Sequence, residues 1–253
     1  MPSSISVSQK FFKTYKKCTK NREYEEATKI KAELIHLIEK HIDTTAEDMR
    51  LFGEKLGDDK LFLESILSFD VASTLSEKVK NHEEKLEMIQ FCVQGLMKTN
   101  KVMIEEDPDM MAIVKEYVIP LMHDKLHLME STSSVSEQFM CLQVSCVCLY
   151  IGASHYLVGQ LKEQGQLLRE AIKRMDNVFG ESKIKQHVYG TLLNNLGAVC
   201  LMASCYEEAA SFFKQAIDAS KTATDYDIEE ERKEHIKLSE KGLRIVQQKS
   251  TDL

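Results

Sequence analysis

The chain has 253 residues and a formal net charge of −7, with acidic and basic side chains interspersed along its length. That balance excludes a global attraction to nucleic acid, and the length suffices for a sizeable core in one large domain or two small ones. With only ten Gly, three Pro and no Trp, and no sustained period-two run of β-branched and aromatic residues, the composition predicts an all-α protein.

Seven cysteines give an odd count, and most sit among apolar residues at helical spacing, where a reduced thiol behaves as a small hydrophobe. A reducing compartment follows, and the expected location is cytoplasmic. Met1 to Val7 is polar and small, unlike a secretory signal. No apolar run is expected to approach the roughly 18 residues that span a bilayer. Phe139 to Val158 comes nearest, but Gln143, Ser145, Gly152, Ser154 and His155 interrupt it, so it reads as a buried helix, and no membrane partner is expected.

Residues 1–43 read as a helical hairpin. Phe11, Phe12 and Tyr15 share one face, Asn21-Arg22 marks a turn, and Tyr24-Glu25-Glu26-Ala27 opens a second helix with Ile30, Leu34 and Leu37 inward. Lys13, Lys16 and Lys17 form a solvated basic face. Residues 44–136 read as an irregular helical region. Thr44 or Thr45 can cap its first helix with Asp48 in support, and Gly57-Asp58-Asp59 reads as a turn. Helices over Leu61 to Val71, Leu75 to Val79 and Glu84 to Met97 follow, and Glu105 to Asp109, with Pro108, reads as another helix start. His123 and His127, at i and i+4, share a helix face and could hold zinc, with Asp124 where a metalloprotease carries its general base. No third ligand stands near them in sequence. No metal or other cofactor is expected, and a zinc-dependent hydrolase is the least favoured reading.

Residues 137–224 carry the clearest pattern. Leu193-x2-Leu196-Gly197-x2-Cys200 is followed by Ala209-x3-Phe213-x2-Ala216. Leu193, Leu196 and Cys200 make one apolar stripe on a first helix. Gly197, lacking a Cβ, permits close approach of a second helix, where Ala209 and Ala216 are small and Phe213 fills the gap. Ile151-Gly152, with His155, precedes Leu168 and Ala171 at matching distances, and Gly152 stands 45 residues before Gly197. This pattern resembles the tetratricopeptide repeat, whose usual period is about 34 residues, so the Asn177 to Ser182 connection or the helices must be extended. Leu193-Asn194-Asn195-Leu196 is similar to repeats of the kinesin light chain group over some 40 residues. Tyr206 to Ala209 matches Tyr24 to Ala27 letter for letter, with Tyr15 where the first unit should have a small residue, so 1–43 is a degenerate repeat. No such register is read between 44 and 136. Residues 225–253 form a polar capping helix with Ile236, Leu243 and Val246 as a narrow stripe.

The resemblance implies antiparallel helical hairpins stacked as a right-handed solenoid, and a groove that binds another protein. Asn195, beside the packing pair, is placed to exchange hydrogen bonds with the backbone of an extended peptide segment, with Asn194, Lys233 and Lys237 as further contacts. A full chaperone-type carboxylate clamp is not visible, since Asn194 and Ala198 occupy its Lys and Asn positions. The expected role is therefore a non-catalytic adaptor or scaffold. The alternative is a component that self-associates as a homo-oligomer through its last helix.

Overall fold

The computed structural model describes residues 13–41, 45–132 and 134–251, and among them every regular element is helical. Phe11, Phe12 and Thr44 lie outside the described residues. A helix over 13–20 (α1) is followed by α2 (Tyr24–His41), α3 (Ala46–Asp58), α4 (Phe62–Leu75) and α5 (His82–Glu106). A short α6 (Met111–Ile113) runs through a π-helical turn, Val114–Val118, into α7 (Ile119–Glu130). Then come α8 (Glu137–Leu157), α9 (Leu161–Phe179), α10 (His187–Met202), α11 (Tyr206–Thr222) and α12 (Glu229–Thr251). The chain divides into two compact units: Met1–Val135 with Ala153–Val158, and Ser136–Gly152 with Gly159–Leu253.

Local chemistry sets the helix starts. Thr45 caps α3 in a reciprocal box with Asp48, each satisfying the other's backbone N–H. Asn81 caps α5, and Asp107 with Pro108 opens a 3₁₀ turn ahead of α6. Gly57 lies inside α3; the chain turns instead at Asp59 and Lys60. The π turn immediately precedes Pro120, whose missing N–H would otherwise break the ladder, and the widened turn absorbs that loss.

Hairpins α1–α2, α3–α4 and α10–α11 close with one turn. Arg22, Lys60 and Ser204 adopt φ of 61°, 59° and 59°. The next N–H in each case reaches back five residues: Glu23 to Cys18 O at 2.8 Å, Leu61 to Leu56 O at 2.8 Å, Cys205 to Cys200 O at 2.9 Å. This left-handed cap satisfies the last carbonyls of the first helix and turns the chain into the second. Gly159, at φ 75°, holds the same place between α8 and α9, where no Cβ opposes it.

The hairpins also share a packing register. A Cβ built on Gly197 would fall 3.0 Å from the Phe213 ring, and one on Gly53 would fall 3.1 Å from Phe69. Met49, Phe52, Gly53, Leu56, Ser65, Phe69 and Ala72 each stand 144 residues before Leu193, Leu196, Gly197, Cys200, Ala209, Phe213 and Ala216. The same packing of a first-helix glycine against a second-helix phenylalanine therefore recurs in α3–α4. Four of these seven positions differ, at Met49, Phe52, Leu56 and Ser65, and Gly53, Phe69 and Ala72 are identical to their counterparts. In α1–α2 the sizes are exchanged: buried Tyr15 takes the Gly position and Lys31 the Phe position. The Lys31 ammonium then reaches buried Asp70 at 3.0 Å, and the Tyr15 hydroxyl donates to Tyr117 at 3.0 Å. In α8–α9, Gly152 faces Leu168 at an ordinary 3.6 Å. The spacing from Gly152 to Gly197 is long because α9 runs for 19 residues and a 3₁₀ segment, Gly180–Lys185, follows it.

One expectation is corrected. Helix α8 is long and apolar enough to cross a membrane by length and composition, with mean hydropathy 1.3, because its interruptions are weakly polar and uncharged. Half of that window is buried within the protein.

Candidate functional site

In the second unit, α10 and α12 flank α11 and leave a cleft of about 170 Å³ between them. The N-terminal half of α10 supplies Gly190, Thr191, Asn194 and Asn195; α11 supplies Ser220; α12 supplies His235, Leu238 and Ser239. A Cβ on Gly190 would fall 2.9 Å from Ser220 Oγ, so the bare glycine lets α11 close the floor. Asn194 bridges the two walls, its Oδ1 accepting from Ser239 Oγ at 2.9 Å. Asn195 Nδ2 donates to Thr191 O of its own helix at 3.1 Å, which fixes the side-chain rotamer along the cleft.

His235 is set by Tyr226, whose hydroxyl lies 2.9 Å from Nδ1. Burial, with help from nearby His187, holds the His235 imidazole below its ordinary pKa, so the ring is neutral at pH 7. His187 in turn meets Asp225 at 2.9 Å, while its backbone N–H donates to the same carboxylate at 2.7 Å and anchors the start of α10. The cleft lining is thus a set of amides, hydroxyls and a neutral imidazole beside the half-exposed Leu238 (49%). Such a surface matches the alternating donors and acceptors of a peptide backbone better than a free ion.

The structure brings Asn194 and Asn195 together at this cleft and leaves Lys233 and Lys237 out of its lining. Both lysines are exposed on α12, and Lys233 pairs with Glu230 at 3.4 Å. Positions 235, 238 and 239 form the inward face of that helix, three and four residues apart, so 233 and 237 turn elsewhere. His235, Leu238 and Ser239 escaped sequence reasoning because the stripe of Ile236, Leu243 and Val246 drew the apolar face. The i, i+3, i+4 spacing of the three was the available signal. Among the packing residues, Leu193, Leu196, Ala209, Phe213 and Ala216 are buried, as is Ala171 of α9.

His123 and His127 have different partners. His123 Nε2 lies 3.1 Å from His155 Nε2, whereas the His127 side chain is 74% exposed and meets Glu130 at 3.6 Å. No group of three or more His, Cys, Asp or Glu side chains able to hold a metal ion occurs among the described residues. The first unit instead contains a buried charge cluster that the sequence did not reveal. Asp70, 1% exposed, is paired with Lys31 at 3.0 Å and Lys125 at 2.7 Å. An Asp inside the apolar run of α4 was the clue, but its cationic partners come from α2 and α7.

No protein-family model matches the chain, and no curated protein matches it.

Proposed function

We propose that the chain is a non-catalytic adaptor or scaffold of the cytoplasm, built from tetratricopeptide-like hairpins, that holds an extended segment of a partner protein in the α10–α12 cleft. The observation that carries this reading is the convergence of Thr191, Asn194, Asn195, His235 and Ser239 on one cleft beside the half-exposed Leu238. Amides and hydroxyls on the walls would exchange hydrogen bonds with the peptide backbone, and Leu238 would meet an apolar side chain. The shared register of α3–α4 and α10–α11 supports the hairpin assignment, since a Gly in the first helix and a Phe in the second recur with one turn between them.

The test is to pan the purified full chain against a displayed random-peptide library and to measure the enriched peptides on variants. Leu238→Arg should weaken binding at least tenfold, and Asn195→Ala severalfold, with thermal midpoints close to wild type. Equal binding to wild type and both variants, or no enriched peptide, would refute this reading.

A further inference from the structure

Cys200 and Cys205 are the first and last residues of the left-handed cap that joins α10 to α11. The Cys205 N–H donates to Cys200 O at 2.9 Å. With standard bond lengths, that contact leaves the two Cα atoms no more than about 6.8 Å apart, inside the range a disulfide spans. Side chains at these two positions converge in a cap of this kind. In α1–α2 the same positions hold Cys18 and Glu23, and the Cys18 thiol is hydrogen-bonded to the Glu23 carboxylate. In α3–α4 they hold Leu56 and Leu61. Of the three hairpins, α10–α11 alone places a thiol at both.

The two thiols differ in access and surroundings. Cys205, the N-cap residue of α11, is exposed, with Sγ 3.7 Å from Ala203 O. Cys200 is 3% exposed and packs with Ala209, Phe213 and Val246. Its thiol donates to Glu208 Oε2 at 3.7 Å, and Arg169 Nη2, from α9, meets the same carboxylate oxygen at 3.6 Å. Burial pushes the Cys200 thiol up, and the Arg169 guanidinium beside it pulls the other way. A buried thiol thus has a proton acceptor and a cation within reach, the surroundings that activate a cysteine.

We propose that Cys200 and Cys205 are a reactive dithiol that a small-molecule disulfide of the glutathione type oxidises to an intramolecular disulfide across the α10–α11 turn. The Cys205 thiolate attacks one sulfur of the oxidant, forming a mixed disulfide and releasing one glutathione. Cys200 then passes its proton to Glu208 and attacks the Cys205 sulfur. The mixed bond breaks, and the departing second glutathione takes that proton. Two protein thiols are oxidised, one glutathione disulfide is reduced to two glutathiones, and both thiol protons leave with them. In a reducing compartment the pair stays a dithiol and closes only when the oxidised small thiol accumulates. Nothing in this chemistry depends on the peptide-binding cleft.

The experiment incubates the reduced full chain with glutathione disulfide, quenches with acid, alkylates, and follows intact mass and peptide maps over time. Wild type should pass through a short-lived glutathione adduct on Cys205 to a species two hydrogens lighter, mapped to Cys200–Cys205 and reversed by dithiothreitol. Cys200→Ser, with its unfolding midpoint checked, should hold glutathione on Cys205, and Cys205→Ser should stay unmodified over the same interval. Glu208→Gln should form the adduct at the wild-type rate and prolong its life at least threefold, a split that a merely structural role for Glu208 would not produce. A lasting adduct on wild-type Cys205, a disulfide to any other cysteine or to a second copy, or no reaction would overturn the proposal. An adduct that closes at the wild-type rate in Glu208→Gln would overturn the proton path through Glu208.

Discussion

A Cβ on Gly242 would fall 2.4 Å from Cζ of Phe213, so α12 reaches α11 at this point only because residue 242 has no side chain. With Gly197 on the other side, the ring is held between two bare helix surfaces. Phe69 is held likewise, where a Cβ on Gly95 would fall 2.3 Å from its Cζ. One phenylalanine between two glycines is therefore a packing device used in both units.

Gly242→Ala should destabilise the protein. The alanine gains up to about 1 kcal/mol of helix propensity, but displacing a buried ring costs about 1–3 kcal/mol. A net loss of roughly 1–2 kcal/mol is expected in urea unfolding. Gly152→Ala is the control: its nearest neighbour, a Leu168 methyl, stands 3.6 Å away, so the variant should be neutral or slightly more stable. Equal effects at both positions would show that contact with the ring is not what requires Gly242.

Asp70 should be the costliest single carboxylate to remove from the first unit. Asp70→Ala leaves Lys125, only 6% exposed, without its anion, a change typically worth about 3–5 kcal/mol. Replacing the cluster together, as Asp70→Leu with Lys125→Met and Lys31→Met, should recover much of that loss, because none of its three members is left charged. A penalty under about 1 kcal/mol for Asp70→Ala would mean that water reaches the cluster.

Mild acid should destabilise the fold through His123 and His235. Burial is the main cause that lowers both pKa values below 6.5; His155 adds to it at His123, and His187 at His235. The unfolded chain therefore binds more protons between the folded and unfolded pKa values. The stabilisation is complete above about pH 6.5 and is lost as pH falls from there through the folded values. Urea midpoints should drop from pH 7.5 to pH 5.5, and a His123→Gln/His235→Gln variant should show a flatter profile. An unchanged slope in that variant would assign the effect to other groups.

Cysteine reactivity should be sharply uneven. Cys205 is exposed, whereas burial pushes the thiols of Cys92 and Cys146 up to about 12 and about 11. Since the thiolate is the nucleophile, iodoacetamide at pH 8 should modify Cys205 rapidly and leave Cys92 untouched until the protein unfolds. Intact mass in native buffer and in denaturant measures this directly, and rapid alkylation of Cys92 in the native protein would contradict its burial.

Local patterns in the chain determined the helical class, because apolar spacing, scarce Gly and Pro, and caps such as Thr45 with Asp48 act within a few residues. The Gly197–Phe213 contact was legible for the same reason, since the small and large positions lie on consecutive helices joined by a short turn. The matching Gly53–Phe69 contact in α3–α4 was harder to read, because Met49, Phe52, Leu56 and Ser65 all differ from the residues 144 positions later. Tertiary structure alone decided which distant groups meet. Gly242 shows its purpose only where Phe213 stands against it, and Asp70 only where Lys31 and Lys125 converge from separate helices. Asn195 was visible as a polar residue beside a packing pair. That Ser239, His235 and Leu238 complete its cleft depends on how α12 is rotated against α10, which follows from packing across a long stretch of chain, not from local sequence.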